Sequence, residues 1–196
     1  MGLDMYWHGE KELSPKSFKE RKILAMLNHM PFTQSQWEEL TSENDYLYIS
    51  DWTNKPLYDL FQQYKLTGQI GDVKGLKCAK DKKGVKHWTV ITEAFYLRKA
   101  NAIHKWMVAN VQDDVDDCDY YPMDNTHIDK FIADVDAILA DDSKKEELIP
   151  TQSGFFFGGT EYDEWYYHEL KATKKRFKRF KAKCNSAWKF TYHSSW

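Results

Sequence analysis

Two segments in the second half of the chain, 93–118 and 150–167, crowd titratable and amide side chains among aromatic ones. Aromatic residues bury large areas and need a core, while the polar groups between them must find partners or line a cavity. The expected outcome is a polar pocket with stacking walls, carried on a packed domain. The chain can supply that core. Its 196 residues are 42% hydrophobic and 16% aromatic, with 8 Trp, 12 Tyr and 11 Phe, which argues against disorder and fits one domain.

Net charge is −2, but the charges are segregated. Thirteen acids between Asp113 and Glu147 meet only Lys130, Lys144 and Lys145, whereas Lys171 to Lys183 carries eight bases and no acid. The basic run reads as a solvated helix face partly neutralised by the acidic segment, so nucleic acid is not an expected partner. Cys78, Cys118 and Cys184 are odd in number and lack CxxC spacing, which argues against a disulfide framework or zinc knuckle and for a reducing interior. The N-terminus has no basic stretch leading into an apolar run, and no segment approaches roughly 18 apolar residues. Neither export nor membrane spanning is expected. Met1-Gly2 opens like a myristoylation site but has Tyr6 where Ser or Thr is needed.

Along the chain, Leu3, Met5 and Trp7 alternate with Asp4 and Tyr6 as in a strand with one apolar face. Ser14-Pro15 starts a helix with Phe18, Ile23, Leu24 and Leu27 on one side, ended by Met30-Pro31. Short helices follow from Thr33 to Leu40 and from Asn54 to Gly68, with a strand at Tyr46 to Ser50 between them. Gly68 to Gly84 reads as a loop, because its glycine spacing matches no phosphate-binding motif. Val85 to Thr92 is expected as a strand. A helix from Ala94 to Val111 follows, with Tyr96, Ile103, Met107 and Val111 inward. Asp124 caps another, with Ile128, Phe131, Ile132, Val135 and Leu139 as its core stripe. Gly154 to Gly158 is expected as a short buried strand. Thr160 and Asp163 open a last helix with Tyr166, Leu170, Thr173, Phe177 and Phe180 on one side, and the end of the chain reads as strand-like or frayed. The fold class is α+β: a small mixed sheet packed by several helices, a single domain over 1–196 with a possible insertion at 13–84 and a core at 85–183.

On the helix expected at 94–111, Arg98, Asn101 and His104 recur every third residue and sweep one arc, which suits an anionic or nucleotide-like ligand. Gly158-Gly159-Thr160 lets backbone approach a ligand just before a helix N-terminus, and Tyr162, Trp165 and Tyr166 can stack on a base or sugar. The expected ligand-binding set is Arg98, Asn101, His104, Gly158, Thr160, Tyr162 and Tyr166. No catalytic residue, metal ligand or cofactor is assigned. The run Asp113 to Asp119 lacks the glycine and terminal glutamate of an EF-hand loop and reads as a solvated helix end.

The opening Met1-Gly2-Leu3-Asp4-Met5-Tyr6, the stretch from Tyr96 to Cys118 and that from Leu148 to Tyr167 resemble a family of small tailed-phage and prophage proteins. Some of these are labelled phosphoglycerate kinase. That label does not suit this chain, which is too short for two lobes and has no phosphate-binding glycine motif. The resemblance covers the first ten residues and about Val85 to Lys183. It implies viral origin and action in a bacterial cytoplasm.

Together these readings predict an accessory protein that binds and sequesters a small nucleotide-derived ligand, countering host defence signalling, with assembly into a homo-oligomer allowed by the aromatic excess. One alternative is an enzyme acting on a phosphorylated or nucleotide substrate, with His104 as acid/base and Asp116 or Asp117 as its partner or a metal ligand. The other is a protein- or nucleic-acid-binding inhibitor that uses the basic C-terminal helix.

Overall fold

The alternation of Leu3, Met5 and Trp7 is carried by a strand in the computed structural model of the chain, which describes residues 2–14, 16, 24, 75–154, 157–183 and 188–196. The fold is α+β. The helices expected between Ser14 and Gly68 and the strand at Tyr46 to Ser50 lie outside the described residues, save for Ser14, Lys16 and Leu24. Two compact units form, Met1–His8 with Glu93–Trp196, and Gly9–Thr92.

In the larger unit, parts of β1 (Asp4–Glu12) and β3 (Lys86–Arg98) join β4 (Tyr120–Met123) and β5 (Lys189–Ser195) in the order β3-β1-β5-β4. β4 and β5 pair antiparallel, with Tyr121 opposite Tyr192. The helices are α1 (Asn101–Val111), α2 (Asn125–Ala140), the single turn α3 (Lys145–Leu148) and α4 (Glu164–Lys183). Period-2 burial sends Met5 and Trp7 of β1, and Phe190 and Tyr192 of β5, to one face of the sheet. That face meets the helices through aromatic rings. Phe177 of α4 lies 6.0 Å from Trp7, 5.5 Å from Phe95 and 5.1 Å from Phe131 of α2, all at steep interplanar angles. Edge-to-face contacts of this kind add to the burial of large apolar area.

α4 follows the expected pattern. Asp163 caps it by accepting from Tyr166 N at 3.0 Å, and Tyr166, Leu170, Thr173, Phe177 and Phe180 are all buried. α2 is closed by a capping box in which Asp124 accepts from Thr126 N and His127 N while the His127 ring accepts from Asp124 N. Its stripe differs from the expected one: Ile138 is buried, Ile132 half-buried and Leu139 exposed. Ile128, Phe131, Val135 and Ile138 hold the 3, 4, 3 spacing of one helical face, and Leu139, four residues after Val135, lies at its edge in the last turn, next to the helix end at Ala140. Gly154 and Gly158 are exposed and not in a strand, so the short buried strand expected there does not form. Phe157 alone is buried, with Phe155 and Phe156 outside the described residues.

The smaller unit corrects part of the loop expected at Gly68 to Gly84, of which 68–74 lie outside the described residues. β2 (Leu76–Lys80) pairs antiparallel with β3, Lys77 opposite Thr89, across a tight turn. Asp81 holds that turn, its Oδ1 accepting from Lys83 N at 2.8 Å and Val85 N at 2.9 Å, and Gly84 takes φ +80. His87 reaches Glu12 at 2.6 Å. Among the described residues no helix is long and apolar enough to cross a membrane.

Candidate functional site

The helix expected from Ala94 begins only at Asn101, because Ala94 to Arg98 continue β3. The apolar run Val90-Ile91 feeds a strand, and Phe95 stacks on Trp7 of the neighbouring β1 at 4.2 Å. Lys99 then takes φ +58, a left-handed conformation that few residues with a Cβ adopt, and the chain turns into α1. Arg98, Asn101 and His104 therefore share no helical arc. Arg98 is exposed on the strand, its Nε 3.7 Å from Asp4.

His104 is wholly buried. Its Nε2 lies 3.0 Å from Asp116 Oδ1 and its Nδ1 2.7 Å from the Tyr192 hydroxyl. A carboxylate can only accept, so Nε2 donates to Asp116 and Nδ1 accepts from Tyr192. Burial pushes the imidazole below its ordinary pKa of 6.5, with Asp116 opposing, and the ring stays neutral. Phe157 at 5.3 Å and Trp196 at 5.6 Å cover it. His104 thus ties α1 to β5 and to the aspartate loop, with neither ring nitrogen open to a substrate. In that loop Asp117 accepts from Asp119 N and from the Tyr121 hydroxyl. Among the described residues no group of three or more His, Cys, Asp or Glu could hold a metal ion.

Asn101 is also buried, and it brackets the glycine corner. Its Nδ2 donates to Phe157 O at 3.1 Å and Gly159 O at 2.6 Å, while its Oδ1 accepts from Gln152 N at 3.0 Å. Between those two carbonyls Gly158 takes φ +90, and a Cβ there would stand 3.1 Å from Lys99 O. Glycine is therefore required on both conformational and steric grounds. The rest of the segment is stapled by Tyr162 and Tyr166, both expected to touch ligand, and by Thr151, which was not. Tyr162 Oη accepts from Thr151 N at 3.3 Å, Thr151 Oγ1 donates to Thr160 O at 3.0 Å, and Tyr166 Oη donates to Ile149 O at 2.9 Å.

Beside this corner lies a cavity of about 240 Å³. It is lined from the Lys99 and Asn101 turn, from Thr151, Gly158, Gly159 and Glu161, and from the start of α4 at Asp163, Trp165, Tyr166 and Glu169. Of the expected set it gathers Asn101, Gly158 and Tyr166, while Arg98, His104, Thr160 and Tyr162 stand outside its lining. Its side chains carry one ammonium and three carboxyl groups. Burial lifts Glu169 to about 7, a hydrogen bond from Trp165 pulling down and the charge of Asp163 pushing up. Near neutrality Glu169 therefore both donates and accepts. Trp165 is 64% exposed and offers a ring face. Sequence reasoning left out Lys99, Thr151, Glu161, Asp163 and Glu169 and named Trp165 only as a stacking ring. Trp165 and Glu169 sit four apart on the first turns of α4, the spacing that places two side chains on one helical face.

No protein-family model matches the chain, and comparisons with curated proteins and with solved structures gave no match.

Proposed function

We propose that the protein is a phage accessory protein that captures a small nucleotide-derived ligand in the glycine-corner cavity and withholds it from a host effector in the bacterial cytoplasm. The observation that carries the reading is the meeting, in one cavity, of Trp165, the carboxyl groups of Glu161, Asp163 and Glu169, the Lys99 ammonium and the bare backbone of Gly158 and Gly159. Carboxylates accept from ribose hydroxyls and exocyclic amines, the indole offers a stacking face, and Lys99 can meet one phosphate. Phage origin and compartment rest on the resemblance of the opening residues and of 96–118 and 148–167.

The same lining narrows the ligand. A cavity of about 240 Å³ lies below the roughly 300–1,000 Å³ usual for drug-sized ligands, so a nucleoside or mononucleotide suits it better than a dinucleotide. Three carboxyl groups facing one lysine disfavour a second phosphate. Closure by a second copy over the exposed Trp165 belongs to the same reading, and light scattering with and without ligand measures it.

Calorimetry with nucleosides, nucleoside monophosphates, cyclic nucleotides and ADP-ribose tests the proposal. The expected result is a nucleoside or monophosphate bound more tightly than about 1 mM, near −4 kcal/mol, weakened about tenfold by Trp165→Ala and released intact on heating. If no member of the panel reaches that affinity, or the ligand comes back altered, sequestration is wrong.

A further inference from the structure

Another face of α4 carries a feature that the cavity does not use. Its eight bases do not form one undivided solvated face. Lys174 pairs with Asp136 and Lys181 with Asp129, both on α2. Arg176 donates to Tyr96 O at 3.2 Å and lies over the Phe95 ring at 5.2 Å. Those three cations belong to the fold. Lys171, Lys175, Lys178 and Arg179 are exposed and make no ion pair with any described residue. At 100° per residue they fall within an arc of about 100°, opposite the buried Leu170, Phe177 and Phe180, and span about 12 Å along the axis. With Lys174 and Ala182 they line a shallow groove of about 420 Å³.

We infer that this stripe is a docking surface for the phosphate backbone of duplex DNA, bound without regard to sequence. Charge complementarity identifies the occupant: four cations of one helix, with no ion pair among the described residues, face a polymer with one negative charge per about 1.7 Å of duplex axis. Lys and Arg can meet guanine edges as well as phosphates, but the lining holds no Asn, Gln, Asp or Glu to specify adenine or cytosine, its one uncharged residue being Ala182, so the phosphate contacts dominate. A membrane surface is the poorer fit, because a helix that lies in a bilayer interface must bury its apolar face in lipid. Here that face is buried in the protein core.

The pairing pattern changes the expectation drawn from sequence. Acids of 113–147 do neutralise part of the basic run, on the flank turned toward α2, where Asp136 also feels the charge of Lys178, while the four cations of the outer stripe make no ion pair among the described residues. This docking surface is independent of the proposed ligand cavity, so either can fail alone.

Fluorescence anisotropy of the full chain with a labelled duplex of random sequence tests the inference. Contacts to four phosphates give a slope of log affinity on log salt of about −3.6, hence about a 150-fold loss between about 50 and 200 mM salt. Replacing Lys171, Lys175, Lys178 and Arg179 by Gln should flatten the slope, each pair removing about 1.8. These side chains are exposed, so circular dichroism and nucleoside binding should match the parent chain. K82Q/K83Q, which removes two exposed lysines of the β2–β3 turn, should leave the slope unchanged. No duplex binding at about 50 mM salt, an equal loss in K82Q/K83Q, or tighter capture by vesicles of phosphatidylglycerol and phosphatidylcholine than by the duplex would each overturn the proposal.

Discussion

Asn101→Ala should be among the costliest single polar substitutions in the larger unit, and Asn101→Asp should be worse. The alanine variant deletes three hydrogen bonds at a residue only 5% exposed, two donated to Phe157 O and Gly159 O and one accepted from Gln152 N. A buried hydrogen bond contributes about 1 kcal/mol net, and more where a partner is left without water, so the loss should be about 3 kcal/mol and no more than about 5. For a chain of this size that lowers the melting midpoint by about 6–12 °C. Asn101→Asp preserves the acceptor for Gln152 N but puts a carboxylate oxygen where the amide nitrogen now lies 3.1 and 2.6 Å from two carbonyl oxygens. Desolvation and repulsion raise that carboxyl's pKa in the folded state. The variant should therefore lose stability as pH rises through the raised value and recover part of it in acid. Urea titrations of the three proteins at pH 7.5 and pH 5 provide the measurement. A cost below about 1 kcal/mol for Asn101→Ala, or an aspartate variant milder than the alanine one, would show that the bracket around Gly158 does not hold the segment.

Three further outcomes follow from the same geometry. Phe177→Ala removes the ring that Trp7, Phe95 and Phe131 share and should cost about 3–5 kcal/mol in urea titration, with a cost below about 1.5 contradicting the packing described. Glu169, lifted from 4.5 to about 7, is held as the acid more firmly in the folded than in the unfolded chain. Its stabilising effect is therefore present below pH 4.5 and lost as pH rises through about 7, so Glu169→Gln should flatten the stability profile between those values. His104 is pushed down from 6.5 by burial, so the unfolded state takes up the proton first and stability should fall as pH drops below 6.5. Comparison of the parent with His104→Gln should show that acid slope reduced, and identical slopes would contradict a neutral buried imidazole.

What the sequence reveals and what it hides divides along the range of the interactions. β1, the Asp124 cap and the whole inward face of α4 are legible because period, cap and stripe are written within about a dozen neighbouring residues. Ala94 to Arg98 is not. Tyr96 sits at helical spacing from Ile103 while Phe95 and Leu97 alternate with their neighbours, so the segment reads both ways. The contact that decides, Phe95 on Trp7, joins positions 88 apart in sequence. Asn101 and His104 are expected from sequence to bind ligand, but their polar atoms meet Phe157, Gly159, Gln152, Asp116 and Tyr192, protein groups brought in by the fold. Local spacing cannot distinguish a polar side chain waiting for ligand from one already satisfied. The acids of the cavity were missed for the converse reason: Glu161, Asp163 and Glu169 look like ordinary solvated helix-start residues until the Lys99 turn and the Gly158 corner close against them.

That closure determines where function and stability can be separated by mutation. Lys99 at φ +58 and Gly158 at φ +90 meet across one cavity edge, with Asn101 fastened between them. Changes at these positions must alter the cavity and the fold together, and a loss of binding there says little about contact with ligand. Trp165 and Glu169 differ. Trp165 is largely exposed, its ring stacked on His168 at 5.3 Å and its indole hydrogen-bonded to Glu169, and the burial of Glu169 works against its charge. A side chain whose present surroundings do not reward its chemistry is where ligand contact can be removed at little structural cost. Binding lost at Trp165 or Glu169 with the melting midpoint preserved therefore identifies the cavity as a site, whereas binding and midpoint falling together would reduce it to a gap left by the packing of a loop on a helix.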